Sequence, residues 1–127
     1  MNYVQKLEEL KFKRQKTKKE LMQLKELVKE KEQQIVFEEY RLKVEHEQAI
    51  RTAPESVIKT KYSNAERRKL EYDKLRNSSE TLNTYQHELV DLHDKEIKLD
   101  IKNEIEKLEE RYIFKQIEVT IGEKYGK

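Results

Sequence analysis

The chain has 127 residues, 43% of them charged and 35% hydrophobic, yet its net charge is only +2. With two Gly, one Pro, no Cys and no Trp, it is too charged for a compact core and too periodic for disorder, which leaves one domain of extended helices. The lack of Cys excludes disulfides and thiolate zinc sites, and no apolar run is long enough to span a bilayer.

The first predicted helix covers about residues 3–50. Leu7, Leu21, Val28, Ile35, Leu42 and Ala49 lie on one seven-residue row, interrupted by Arg14, and Leu10, Thr17 and Leu24 form a second row three residues on. Apolar residues at this spacing make one stripe along a helix, and a stripe of that length is buried against another helix. Asn2 is the predicted N-cap, and Pro54 stops the helix because it lacks an N–H and clashes with the preceding turn. Residues 51–62 form the connection, in which Val57 and Ile58 are apolar pins.

The second helix is predicted over about residues 63–118, opened by Ser63-Asn64-Ala65-Glu66 as a capping box. Leu75, Leu82 and Leu89 form one row and Tyr85, Leu92 and Leu99 the other. Near Glu96 the beat changes, and Ile97, Ile101, Ile105, Leu108 and Tyr112 recur at wider spacing, which reads as a stutter in the same stripe. Residues 119–127 are predicted to be a flexible tail.

Two long helices with a short connection predict an all-α antiparallel helical hairpin, a coiled coil. With the turn centred near Val57, the six basic residues between Lys11 and Lys19 fall beside Asp94, Glu96, Asp100 and Glu104. That register accounts for the acidic excess between Asn77 and Glu110, where ten acidic residues meet four basic ones. Val36, Phe37, Tyr40 and Val44 on the first helix, with Val90, Ile97 and Ile101 on the second, broaden the stripe beyond what a hairpin covers. Dimerisation into a four-helix bundle is the predicted remedy.

Catalytic constellations are missing: there is no Cys, no Ser/His/Asp arrangement, no Gly-rich phosphate loop and no paired-carboxylate cleft. The sequence therefore reads as a non-enzyme with no cofactor, metal or small-molecule substrate. His87 with Asp91 and His93 with Glu96 have helical spacing, but the repeated Glu-x-x-His of di-metal bundles is not there. The candidate partner-binding surface is the turn region, with Tyr40, Val57, Ile58, Tyr62, Arg67 and Arg68, because aromatic and Arg side chains are preferred interface anchors. Lys59, Lys61, Arg67, Arg68 and Lys69 form a basic cluster that suits nucleic-acid phosphates as the alternative.

Lys59-Thr60-Lys61-Tyr62-Ser63-Asn64-Ala65-Glu66-Arg67-Arg68, followed by a charged helix ending in Glu109-Glu110-Arg111-Tyr112, resembles small helical proteins from the early gene regions of phages and prophages of low-GC Gram-positive bacteria. The resemblance covers roughly the second half of the chain. It implies a phage accessory role, in recombination, in replication or in countering host defences, and brings no site residues with it. The expectations are then an adaptor or inhibitor that docks on a host or phage protein, a nucleic-acid-binding accessory factor, or a purely structural coiled coil. The expected location is the cytoplasm, that of a bacterial host if the origin is a phage, since no signal-peptide pattern opens the chain.

Overall fold

The computed structural model describes residues 2–125, with the side chain of Tyr125 left aside. Four helices follow one another: α1 (Tyr3–Thr52), α2 (Glu55–Lys61), α3 (Ala65–Asn77) and α4 (Glu80–Tyr125). The described residues contain no strand. α1 packs on α4 as a hairpin, and the chain divides into two compact units, residues 1–27 with 92–127 and residues 28–91.

Local chemistry sets the helix ends. Asn2 Oδ1 accepts the Gln5 N–H at 2.8 Å while Gln5 Oε1 accepts the Asn2 N–H at 3.4 Å, a reciprocal cap that satisfies two otherwise orphaned donors. α1 stops at Thr52, two residues before Pro54, and α2 starts directly after it, with the Val57 and Ile58 N–H groups donating to the Pro54 carbonyl. The connection is therefore partly helical, not an irregular turn. The cap of α3 is Asn64, not Ser63: its Oδ1 accepts the Arg67 N–H at 2.9 Å, with Asn64 itself in extended backbone.

The second long helix is broken where one helix was expected to run from 63. Asn77-Ser78-Ser79 places three side chains in succession that compete for backbone groups. Ser78 Oγ donates to the Leu75 carbonyl, ending α3, and Ser79 Oγ accepts the Leu82 N–H at 3.2 Å, capping α4. α4 then continues as helix to Tyr125, through most of the stretch expected to be a tail; Gly126 and Lys127 lie outside the described residues.

Within residues 1–27 and 92–127, Leu10, Leu21, Leu24 and Ile113 are buried, and within residues 28–91 so are Val28, Leu42 and Leu82. All but Ile113 occupy the predicted heptad rows. The register, however, is displaced from the predicted one. Arg14 meets Glu110 and Thr17 meets Glu106, where a turn centred on Val57 would have put residues 100 and 97. Leu24 and Leu99 line one hollow, and His46 and Leu75 another. The displacement is not uniform: Lys31 meets Glu88 five residues from the predicted alignment, and Glu39 meets Arg76 one residue from it. A slip that leaves both apolar rows facing inward is one that periodicity alone does not detect.

Candidate functional site

The turn lies in the unit of residues 28–91. Tyr62 packs edge-on against the His46 ring, with centroids 5.9 Å apart, and His46 sits 5.5 Å from the Tyr72 ring. Tyr62 is thus half-buried in an aromatic layer that ties the end of α2 to α1. One Arg67 guanidinium nitrogen donates to the Thr60 carbonyl at 2.7 Å, a last-turn carbonyl of α2, where a cation suits the negative end of the helix. Arg68 Nε donates to the Asn64 carbonyl at 3.3 Å. Both arginines brace the connection.

Val57 is half-buried, and Ile58 is exposed. Tyr40 is well exposed but stands on α1 twelve residues before its end, roughly 18 Å along the axis at about 1.5 Å per residue. The six residues grouped at the turn from sequence are therefore split between a braced connection and a separate face of α1. In the basic cluster all five residues are exposed, and Lys59 pairs with Glu55 at 3.4 Å.

The exposed apolar surface lies elsewhere. On α1, Val36, Phe37 and Tyr40 share one outward face, Phe37 at 72% exposure. Phe37 also lines a hollow with Gln34, Glu38 and Tyr85. Beside it, the buried Glu38 carboxylate takes a forked set of hydrogen bonds from Arg41, at 2.7–3.1 Å. These bonds hold its pKa below the ordinary carboxylate value, against the opposing effect of burial, and raise that of Arg41.

On α4, Ile97, Ile101, Ile105, Leu108 and Tyr112 are 50–60% exposed. They are not a stutter in the inner stripe. The inner heptad runs on unbroken through Glu96, Asn103 and Glu110, and through Leu99, Glu106 and Ile113, all buried or half-buried. At about 100° per residue the exposed five fall within an arc of about 80° on the opposite side of the helix. Opposite the polar inner positions, α1 supplies Arg14 and Thr17. Arg14 donates to Glu110 Oε2 at 2.6 Å, and Thr17 Oγ1 donates to Glu106 at 2.5 Å. Of the basic run, Arg14 is held by Glu110, not by Asp94, Glu96, Asp100 or Glu104. Arg14 Nε and Asn103 Oδ1 are buried in this region without a hydrogen-bond partner.

Sequence reasoning missed the polar layer because it ranked positions by hydrophobicity. The signal was present in Arg14 and Thr17, which occupy heptad positions among leucines. In the unit of residues 28–91 the same row continues with Lys31, whose Nζ lies 4.8 Å from the Tyr85 ring centroid and 2.5 Å from Glu88 Oε2.

His93 Nδ1 lies 3.7 Å from Glu96 Oε2. Among the described residues no group of three or more His, Asp or Glu side chains gathers in a way that could hold a metal ion. Nor is any described helix long and apolar enough to cross a membrane. Comparison of the chain with protein-family models, with curated proteins and with solved structures finds no match.

Proposed function

We propose that this protein is a non-catalytic coiled-coil interaction protein, a phage accessory factor that docks a helical surface on a host or phage protein as an adaptor or inhibitor, and that it self-associates. The observation that carries the reading is the amount of apolar side chain left on outward helix faces: Val36, Phe37 and Tyr40 on α1, and the isoleucine-rich face of α4. Contiguous exposed apolar surface rimmed by charge marks protein-binding faces.

The docking patch we assign to the heterologous partner is Val36, Phe37 and Tyr40. Tyr62, Arg67 and Arg68 shape the connection beside it and act on docking only through the fold. Nucleic-acid binding is the rival. Two of its five cations are engaged by backbone carbonyls and a third by Glu55, which weakens the case for phosphate contact.

The test is a pull-down from bacterial lysate, with and without nuclease, using the wild type, Phe37→Ala/Tyr40→Ala and Lys61→Ala/Lys69→Ala. We expect capture that survives nuclease and moderate salt and is lost in the aromatic variant alone. Nuclease-sensitive capture that falls steeply with salt and is lost in the lysine variant would transfer the function to the rival.

A further inference from the structure

We infer that the outer face of α4 binds a second copy of itself, antiparallel, about a two-fold axis close to Ile105. The inference rests on the reading of the chain as an interaction protein and names one partner and its geometry. Ile97, Ile101, Ile105, Leu108, Tyr112 and Val119 form the face, all within the unit of residues 1–27 and 92–127. They span 23 residues, about 33 Å of helix, with Lys115 in the same arc between Tyr112 and Val119. Water is a poor neighbour for an apolar face of this length.

Charge says what covers it. With two α4 helices antiparallel and Ile105 on the axis, Ile101 meets Leu108 of the second copy, and Ile97 meets Tyr112. An antiparallel pair brings like flanks together, so each flank must be complementary to itself. On one flank, Lys102 falls beside Glu109 of the second copy. On the other, Asp100 falls beside Arg111 and Glu104 beside Lys107. At the ends, Asp94 falls beside Lys115. Of these charged residues, Asp100, Lys102, Glu104, Glu109 and Arg111 are exposed. Glu104 and Lys107 already pair within one helix at 3.1 Å, so their carboxylate and ammonium stand ready at the seam.

A parallel pairing of the same face does the reverse. It puts Glu104 beside Glu109 of the second copy, five residues on across the seam, where like charges repel. The two-fold, antiparallel arrangement is therefore selected by four kinds of opposite-charge pair over an unchanged apolar centre.

The experiment uses the full chain in sedimentation equilibrium, with helicity followed by circular dichroism. The wild type is expected at twice the 15.5 kDa chain mass. Ile105→Glu/Leu108→Glu should sediment as a helical monomer. In case that variant misfolds, Lys102→Glu changes only an exposed site: it turns two symmetric attractive pairs repulsive and should weaken the dimer about ten-fold. Lys102→Glu/Glu109→Lys should restore it. Because the chain has no Cys, orientation can be read with single engineered thiols. Ile97→Cys mixed with Tyr112→Cys should form the mixed disulfide, and Ile97→Cys alone should form little. A wild type that stays monomeric, a dimer indifferent to Ile105→Glu/Leu108→Glu, or efficient self-linking of Ile97→Cys would overturn the inference. A monomeric chain that still captured its partner through Phe37 and Tyr40 would leave the docking reading intact.

Discussion

Thr17 and Glu106 offer the sharpest test of how the hairpin chooses its register. Thr17 is 1% exposed and Glu106 5%, and the hydroxyl lies 2.5 and 3.1 Å from the two carboxyl oxygens. Glu106→Leu would leave a buried hydroxyl with no acceptor, a loss of about 2 kcal/mol. Thr17→Val would leave a buried carboxyl without its donor, again about 2 kcal/mol. In Thr17→Val/Glu106→Leu both polar groups are gone and two apolar side chains of suitable size meet, so the cost falls to about 1 kcal/mol or less. The double-mutant cycle should then give a coupling of about 3 kcal/mol, near the upper end for contacting residues. Urea denaturation followed by circular dichroism measures all four stabilities. Additive single and double costs would refute the coupling.

The same double variant should lose fidelity of alignment as it keeps stability, because it removes a polar pair that distinguishes one heptad from the next. Leu10 and Ile113 lie one heptad further along each helix from Thr17 and Glu106, and both are buried. A disulfide between Leu10→Cys and Ile113→Cys should form readily in the otherwise wild-type chain. In the Thr17→Val/Glu106→Leu background its yield should fall. Unchanged yield would mean that the connection alone fixes the register.

Other consequences are simpler to read. Leu82, 1% exposed at the start of α4, should cost about 3 kcal/mol on Leu82→Ala in denaturation midpoint, through lost burial and a cavity. Asn64→Ala should cost about 1 kcal/mol while Ser63→Ala costs little, since Asn64 caps α3; the reverse order would restore Ser63 as the cap. Glu38 has its folded pKa lowered by Arg41. Its contribution is therefore full above the ordinary value of 4.5 and is lost as pH falls through the folded pKa, and Glu38→Gln should flatten the acid limb of the stability curve. Arg41 is more than half exposed, so solvent keeps that effect small.

Periodicity alone was enough to read the two long helices, the all-helical class and most of the buried rows, because burying an apolar stripe is what makes such helices stable. Asn2 was legible as a cap for the same reason Asn64 should have been: a short polar side chain before a helical run accepts a backbone N–H. The break at Ser78-Ser79 was written in the composition, but the leucine rows on either side masked it. The register was not legible. It depends on how many residues a helical connection consumes and on which polar groups find partners, and neither changes the heptad pattern. The engagement of Arg67 with the Thr60 carbonyl was not legible either, since it depends on how α2 meets α3.

The reading of α4 shows where hydrophobic period stops being informative. Between Glu96 and Ile113 the helix has two faces with inverted roles: Glu96, Asn103, Glu106 and Glu110 turn toward α1, while Ile97, Ile101, Ile105 and Leu108 turn to solvent. Apolarity ranks the outer face first, and a reader guided by it places those isoleucines in the core. What reverses the ranking is α1. A core built on Ile97 and Ile101 would set Arg14 and Thr17 against isoleucine and leave a guanidinium and a hydroxyl unpaired, at several kcal/mol. With the polar face inward, Arg14 has Glu110 and Thr17 has Glu106. Pairing of the polar groups thus settles the inner face, and the apolar face is what remains. The hairpin thus turns the better hydrophobic face of α4 outward, and that exposed face is what supports the proposed self-association.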